Sequence, residues 1–146
     1  MEPVNANLQH FYDGLLALLR QPTVRDGRWQ LLECRPAWGG NWTWDGFIAF
    51  AWSGPEHRRM VVAVNYARNQ GQCDLRLPFE DLLGHAVRLQ DRMSAAVYDR
   101  NGDALLAPGL YLDMPPWGYH VFDVTGGCVT NTIHARRRGD RGVGTE

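Results

Sequence analysis

The fold of this chain is decided by residues 46–66, which read GFIAFAWSGPEHRRMVVAVNY. Two runs in this stretch, 46–53 and 59–66, have the length of strands and are rich in β-branched and aromatic residues. The residues between them, Ser-Gly-Pro-Glu at 53–56, have the composition of a turn. The second run is apolar at consecutive positions from Met60 to Val64, so both of its faces should be covered. We therefore predict two strands, of which the second is central in its sheet.

Bulky and small side chains alternate along the first of these strands. One row comprises Ile48, Phe50 and Trp52, and the other comprises Phe47, Ala49 and Ala51. Because successive side chains of a strand point to opposite faces, each row lies on one face. We expect the bulky row to face the core and the small row to lie where another element packs closely. Full burial of a tryptophan removes roughly 150–250 Å² from water, worth at most about 4–6 kcal/mol, which is sufficient reason for Trp52.

Short segments of similar composition lie on both sides of this stretch, separated by Gly, Pro, Asn and Asp. The eight predicted strands are 28–35, 46–53, 59–66, 73–78, 86–92, 95–99, 109–114 and 117–124. Residues 73–78 alternate between apolar and polar positions, which is typical of a strand with one buried face. The Asn101-Gly102 pair favours a type I′ hairpin. Eight short strands at this spacing predict a mostly β fold, an antiparallel sandwich behind one N-terminal α-helix.

The two ends of the chain differ from this middle part. Leucines recur at helical spacing over residues 7–20, with Asn5 or Asn7 as the cap and Pro22 as the stop. After residue 124 there is no periodicity, and a composition rich in glycine and arginine predicts a flexible tail. The predicted organisation is therefore a helix at 1–22, a β-sandwich at 23–124 and a tail at 125–146.

The bulk composition excludes several classes of function. The 146 residues fit one domain, and a net charge of −1 provides no field that would attract nucleic acid or an anionic membrane. Cys34, Cys73 and Cys128 are odd in number and distant in sequence, which argues against a disulfide framework and against a zinc site. There is no charged-then-apolar leader and no apolar run of about 20 residues. We therefore expect a reduced, cytoplasmic setting and no nucleic-acid or membrane partner.

No constellation of side chains in the sequence predicts catalysis, a metal or a cofactor. A glycosidase needs two carboxylates fixed about 5–10 Å apart, and adjacent residues such as those of Glu80-Asp81 do not face each other. Asp99, Asn101 and Asp103 alternate like calcium ligands, but the glycine and glutamate of a calcium loop are missing from their places, which favours the hairpin. The five histidines do not pair at ligand spacing. We expect no catalytic residue, no metal and no cofactor.

Three tryptophans that precede the strand at 46–53 are candidates for sugar contact. Trp38, Trp42 and Trp44 lie in a glycine-containing loop. An extended backbone would place Trp42 and Trp44 on one side, ~6.5–7 Å apart, as a short sugar-stacking platform. The same residues could instead form a lid on a surface that faces another domain. Solvent exposure of the three side chains distinguishes the two interpretations.

Two segments carry a resemblance to a known family. One is the strand Phe47–Trp52 followed by Met60–Tyr66, which ends in Val-Asn-Tyr, and the other is GLYLDMPPWGYHVFDV at 109–124. Together they resemble the C-terminal all-β domain of α-amylase-family glycoside hydrolases, whose closing strand follows the pattern Leu-Pro-Pro-Trp-x-Tyr-x-Val-Phe. Here Met114 replaces the leucine. Residues 7–22 resemble the last helix of the preceding (β/α) barrel, so the resemblance covers about residues 7–124.

The resemblance implies a Greek-key sandwich packed on a catalytic barrel that acts on α-glucans. The catalytic carboxylates of this family lie on the barrel, which takes about 250 residues, so none is expected in this chain. We therefore expect a non-catalytic accessory domain whose partner is a barrel in cis. The alternative is an independent carbohydrate-binding module that contacts α-glucan through its loop tryptophans, and a small enzyme is a third hypothesis. The helix should bury its apolar stripe on the sheet or in a homodimer, through Leu8, Phe11, Leu15 and Leu18.

Overall fold

A computed structural model describes residues 5–126, so the predicted tail lies almost entirely outside the described part of the chain. The described part is mostly β, with nine strands and three helices. The strands are β1 (Arg28–Leu31), β2 (Cys34–Arg35), β3 (Phe47–Ser53), β4 (Arg59–Asn65), β5 (Gly71–Leu75), β6 (Ala86–Asp91), β7 (Val97–Asn101), β8 (Leu110–Met114) and β9 (Tyr119–Thr125). The helices are α1 (Ala6–Leu19), α2 (Pro22–Arg25) and α3 (Gly102–Leu106).

The nine strands form two antiparallel sheets. The larger has six strands in the order β1-β3-β4-β9-β6-β7, and the smaller has three in the order β2-β5-β8. The chain crosses from the larger sheet to the smaller after β1, after β4 and after β7, and it returns each time. β9 consequently lies between β4 and β6. The apolar strand β4 is an interior strand, as its composition predicts.

The core lies between the two sheets. The small row of β3 faces inward, and Ala49 and Ala51 are buried. The smaller sheet contributes Leu75 and Met114 to the same cluster, and β9 of the larger sheet contributes Phe122. Because an interior has a fixed volume to fill, the small side chains of β3 leave room for these larger ones. The expectation that the bulky row of β3 faces the core is therefore wrong: Ile48, Phe50 and Trp52 lie on the outer face.

Helix α1 lies against that outer face of the larger sheet. The side chain of Asn5 caps it by accepting hydrogen bonds from the backbone N–H groups of Asn7 and Leu8. Leu18 is buried against Met60 of β4 and Val121 of β9. Farther toward the N-terminus, Phe11 meets Tyr119 edge to face, with 5.9 Å between the ring centroids. The leucine stripe thus packs on the sheet at two points.

The first predicted strand, 28–35, is divided between the two sheets. β1 pairs with β3 of the larger sheet, whereas β2 pairs with β5 of the smaller one. At the crossing, the N–H of Leu32 still donates to Ala49 of β3, while the carbonyl of Glu33 accepts from Arg76. Leu32 is buried in the core. The count of nine strands rather than eight comes from this division.

The Asn-Gly pair at 101–102 does not form the predicted hairpin. β7 and β8, which flank it, belong to different sheets. Asn101 instead caps α3, and its side chain accepts a hydrogen bond from the N–H of Asp103 at 2.8 Å. Gly102 is required by close packing, because a Cβ there would lie 1.8 Å from the carbonyl oxygen of Leu82. The dipeptide therefore starts a helix that closes one end of the molecule.

Candidate functional site

The Val-Asn-Tyr and Pro-Pro-Trp motifs meet at one end of the larger sheet. β4, which ends in the first motif, pairs with β9, which follows the second. Asn65 is fully buried between them, and its Nδ2 donates to the carbonyl oxygens of Asn69, Met114 and Pro115 at 2.9, 3.1 and 3.1 Å. One amide thus connects the turn after β4 to the end of β8. Tyr66, which follows Asn65 in the first motif, and Trp117, which ends the second, lie on the surface beside this junction.

Two aromatic side chains project from this junction into solvent. Tyr66 and Trp117 are 65% and 56% exposed, and their rings stand perpendicular with centroids 5.3 Å apart. The backbone of Trp117 has a φ of 59°, in the left-handed region that non-glycine residues rarely occupy. A turn holds it there, because the N–H of Gly118 donates to the carbonyl of Pro115. The fold thus accepts backbone strain while this ring stays outside the core.

The outer face of the larger sheet is apolar across β1, β3 and β4. Three cross-strand rows build it: Trp29-Trp52-Met60, Leu31-Phe50-Val62 and Ile48-Val64-Tyr119. Leu31 on the edge strand is 67% exposed, and Trp29 beside it is more than half exposed. We call this surface, with Tyr66 and Trp117 at its end, the outer apolar face. Asp123 of β9, the cross-strand partner of Met60, borders it.

Helix α1 covers this face only in part. Its inward side meets β4 and β9 through Leu18 and Phe11. Its other side carries apolar residues that remain about half exposed, namely Leu8, Tyr12, Leu16 and Leu19. The helix therefore extends the apolar surface instead of closing it. α2 follows directly and packs beside β3 and β4 through Val24.

The loop tryptophans do not form one platform. Trp42 is 71% exposed and Trp38 is 50% exposed, whereas Trp44 packs against the core. The segment Thr43–Gly46 is a 3₁₀ turn and Trp42 has helical backbone angles, so the extended geometry expected for Trp42 and Trp44 is wrong. Trp38 and Trp44 instead line an open depression of about 730 Å³ with Cys34, Arg35 and Pro36.

Hydrogen bonds hold this loop in place. Asn41, which is buried, accepts from the N–H of Ala37 at 3.0 Å and donates to the hydroxyl of Thr43 at 2.9 Å. The same hydroxyl accepts from the N–H of Gln72 in β5, also at 2.9 Å. The loop is thus attached to the smaller sheet. Trp42 lies between these two anchored residues and projects from a fixed backbone.

Several carboxylates of the described chain are engaged with arginines. Arg59 binds Asp81 through both oxygens and lowers the pKa of that carboxyl. Glu33 pairs with Arg35, and Asp99 with Arg88, each in a two-bond contact that lowers the pKa of the acid. A neighbouring arginine in such a pair keeps the carboxyl ionised. None of these contacts presents a protonated carboxyl beside a free one, as glycoside hydrolysis needs.

The residues weighed as a calcium loop have other roles. Asp99 is paired with Arg88, Asn101 caps α3, and Asp103 accepts a hydrogen bond from the N–H of Gly84 at 2.6 Å. Within residues 5–126, no group of three or more metal-ligating side chains is gathered. The three oxygens therefore bind the protein itself and do not converge on one point.

A hydrogen-bonded contact that the sequence did not predict joins β6 to β9. His120 Nδ1 lies 2.8 Å from Asp91 Oδ2, and Asp91 is buried. Burial raises the pKa of Asp91, but hydrogen bonds from His120 and from the N–H groups of Met93 and Val121 outweigh it and leave the pKa lowered. The two residues are 29 positions apart, so no local sequence pattern predicts that they are in contact.

Two of the cysteines are neighbours in space although they are distant in sequence. Cys34 in β2 faces Leu75 of β5, and Cys73 lies two residues away on the same side of that strand. A hydrogen bond from Cys73 lowers the pKa of the Cys34 thiol, and the same contact raises the pKa of Cys73. Cys73 is buried and Cys34 is half-buried at the wall of the depression. Both are thiols.

Comparisons with known proteins leave the family open. No protein-family model matches the chain, and no curated protein matches it. The helices between residues 5 and 126 include none long and apolar enough to cross a membrane. The geometry above is therefore the basis for assigning a function.

Proposed function

We propose that this chain is a non-catalytic accessory domain of an α-amylase-like glycoside hydrolase that acts on α-glucans. In this proposal the outer apolar face packs on a catalytic (β/α) barrel. The observation that carries the proposal is the exposure of that face, with Trp29, Leu31, Tyr66 and Trp117 each more than half accessible to water. Isolated soluble domains rarely expose contiguous apolar patches of this kind, and those that do use them for protein contacts.

The composition of the face fits a permanent contact between domains. Aromatic residues are enriched at the centres of interfaces, and charged residues are depleted there. Here three cross-strand rows of aromatic and aliphatic residues form the centre, and the arginine of the nearest ion pair, Arg92 with Asp123, lies toward β6. Helix α1 lies beside the rows, which fits a last barrel helix that leads into the sandwich.

The junction at Asn65 supports the resemblance on which the family assignment rests. The two motifs that carry the resemblance are far apart in the sequence, yet one buried side chain connects them. Contact between the two motifs is what a fold shared with that family would require. We further propose that the two sheets form a Greek-key sandwich, in keeping with the repeated crossings of the chain between them.

We also propose that the chain performs no hydrolysis and works in the cytoplasm. The first inference is supported by the arginine pairs that occupy Asp81, Glu33 and Asp99. The cytoplasmic setting is supported by the adjacent thiols of Cys34 and Cys73, because an oxidising compartment would favour their oxidation.

Copurification with a barrel tests the docking proposal. We expect a (β/α)-barrel reading frame upstream of Met1, and we expect that barrel, expressed separately, to bind this chain. The variant Leu31→Asp with Phe50→Asp should lose binding, because two charges would be desolvated in the interface. Tyr111→Asp, an exposed substitution on the smaller sheet, is the matched control and should bind normally. A barrel that binds all three proteins equally, or no barrel frame, would refute the proposal.

A second candidate function is an independent carbohydrate-binding module. The observation that favours it is Trp42, which is 71% exposed on a backbone held by Asn41 and Thr43. Quenching of tryptophan fluorescence by maltoheptaose would reveal binding. Trp42→Ala should abolish the response, while Trp29→Ala, an exposed tryptophan on the outer apolar face, should preserve it. An unchanged response in Trp42→Ala would exclude the loop as the sugar site.

A homodimer through α1 is the remaining partner proposal. Leu16 and Leu19 lie on the exposed side of the helix and could pair with a second copy. Light scattering of the chain and of Leu16→Asp distinguishes the states. A wild-type monomer over a wide concentration range would rule out the dimer.

A further inference from the structure

A hydrogen-bonded trio of polar side chains lies on the outer face of the smaller sheet. Gln72 of β5 and Asp113 of β8 are cross-strand partners, and Gln70 precedes β5. The Oδ1 atom of Asp113 accepts hydrogen bonds from the side-chain amides of Gln70 and Gln72, at 2.8 and 2.9 Å. The two amides also lower the pKa of Asp113, Gln70 more than Gln72, so the group remains a carboxylate.

The hydrogen bonds orient the Asp113 carboxylate but engage only one of its two oxygens. Both donors converge on Oδ1, and within residues 5–126 no hydrogen bond reaches Oδ2. Both bonds are exposed to solvent, where such contacts add little to the stability of a fold. Their clear physical effect is to fix the plane of the carboxylate and to keep one acceptor oxygen open.

The loop that carries an exposed tryptophan is hydrogen-bonded to this trio. The hydroxyl of Thr43 accepts from the N–H of Gln72 at 2.9 Å and lies 3.4 Å from its side-chain oxygen Oε1. Trp42 directly precedes Thr43 in the chain, so its backbone lies near Gln72. Packing does not explain this residue, because most of its surface is in water. The loop therefore carries an exposed apolar ring, and the sheet to which it is bonded carries an oriented planar acceptor.

We propose that Trp42, Gln72 and Asp113 form a subsite for a pyranose ring, with Gln70 positioning the carboxylate. This inference rests on the second candidate function, sugar binding by the loop, and names its polar contacts. A pyranose has an apolar C–H face that stacks on an indole and a rim of hydroxyls. Carboxylate and amide oxygens accept from hydroxyls, and a carboxylate makes the stronger bond because it is charged.

Other ligands fit this surface poorly. A protein interface would have to desolvate the Asp113 carboxylate, which costs free energy unless it gains a cation. A nucleic acid would bring phosphates toward that same negative charge. A neutral ring with adjacent hydroxyls satisfies the carboxylate and leaves it partly hydrated. The subsite also lies on the smaller sheet, away from the outer apolar face, so docking there would leave it accessible.

Calorimetric titration of the whole chain with maltoheptaose tests the subsite. One ring on one indole gives weak binding, with a Kd on the order of millimolar. We expect Asp113→Ala to weaken binding about tenfold or more, and Trp42→Ala to remove it. Asp99→Ala, which removes an equally exposed carboxylate from the larger sheet, is the matched control and should leave the Kd unchanged. Urea unfolding of each variant shows whether the fold is retained.

The outcomes separate the subsite from the function on which it rests. Binding that is lost in Trp42→Ala but unchanged in Asp113→Ala would overturn the polar subsite and preserve sugar binding by the loop. Binding that is unchanged in both variants would overturn the subsite and the loop together. A wild-type chain that binds neither maltoheptaose nor cellohexaose would overturn both proposals. None of these results affects the docking proposal, whose test uses the opposite face.

Discussion

Asn65 shows how one buried side chain can determine local geometry. Its amide donates to three backbone carbonyls that belong to two different connections, one after β4 and one after β8. A buried carbonyl without a donor costs about 1–3 kcal/mol, so the amide is worth more than its size indicates. It also sets the turn that displays Trp117. Stability and surface display depend on the same residue.

We predict that Asn65→Ala lowers the free energy of unfolding by about 2–4 kcal/mol, since buried carbonyls lose their donor and a small cavity opens. Urea denaturation measures the difference. Asn69→Ala is the matched control, because Asn69 contributes only its backbone carbonyl to this junction and should cost less than about 1 kcal/mol. Equal losses in the two variants would contradict the assigned role.

The Asp91–His120 pair predicts a pH dependence of stability. The pKa of Asp91 in the folded protein lies below its ordinary value of 3.8, so its ionised form stabilises the fold at neutral pH. That contribution disappears as the pH falls below about 4 and through the folded-state pKa. We expect Asp91→Asn to lower the free energy of unfolding by about 1–3 kcal/mol at pH 7, and by less at pH 3.

Urea titrations of the wild type and Asp91→Asn at both pH values measure this effect. Asp13→Asn, on the exposed side of α1, is the control and should behave like the wild type at each pH. A difference between wild type and Asp91→Asn that does not shrink at low pH would contradict the assignment to the carboxylate.

At the residue scale, alternation in β3 was readable from the sequence but its direction was not. The pattern of large and small side chains places Ala49 and Phe50 on opposite faces. Which face is the core depends on the partner sheet, whose Leu75 and Met114 come from residues far along the chain. Hydrophobicity favours the larger side chain inside, and packing volume reversed that preference here.

At the scale of elements, α1 is stabilised by contact with the sheet. It has no acidic residue in its first turn and no basic residue in its last turn, so its dipole gains little from charges. Leu18 provides its deepest contact, against Met60 and Val121. We therefore attribute the position of the helix to a narrow apolar contact and not to intrinsic helix propensity.

Leu18→Ala should destabilise the protein by about 2–4 kcal/mol, because it removes a buried side chain and leaves a cavity under the helix. Leu19→Ala, the next residue along, is about half exposed and should cost less than about 1 kcal/mol. Thermal unfolding followed by circular dichroism compares the two. A similar shift of Tm in both would mean that α1 is not docked through Leu18.

The elements themselves were largely predictable, and the two errors have physical causes. Residues 28–35 read as one strand because composition does not show a change of partner; the switch at Leu32 depends on β3 and β5. The Asn-Gly pair was assigned to a hairpin because local turn propensity favours it. Gly102 is needed instead for a close approach to Leu82, a tertiary contact that a local motif cannot reveal.

At the scale of the whole molecule, the two outer faces differ in chemistry. The larger sheet presents aromatic and aliphatic rows, whereas the smaller sheet presents Arg35, Asp74, Gln72 and Asp113. This division fits the two partners proposed above, a protein on one side and a hydroxyl-rich ligand on the other. The sequence identified the loop tryptophans as candidates, but the trio joins β5 to β8 and became visible only in the sheet.

Substitutions at two adjacent residues, one on the outer apolar face and one in the core, should have different effects. Leu31→Glu should reduce the binding of a hydrophobic dye and raise solubility with little loss of stability, because Leu31 is 67% exposed. Leu32→Glu should unfold the chain, because Leu32 itself is buried and a charge there would be unpaired. Dye fluorescence and urea denaturation report the two effects. Unchanged dye binding in Leu31→Glu would show that the face is not the hydrophobic surface.

The place of β9 has a consequence for how this protein is made. Because β9 fits between β4 and β6, the larger sheet is two separate ribbons until residues 119–125 leave the ribosome. During that interval the facing edges of β4 and β6, in the middle of the future sheet, lack partners, and unpaired strand edges pair readily with other chains. The nascent chain is therefore prone to aggregation until almost the whole β region has been synthesised. Translation speed and chaperone capture near that point should decide how much of it reaches the native state.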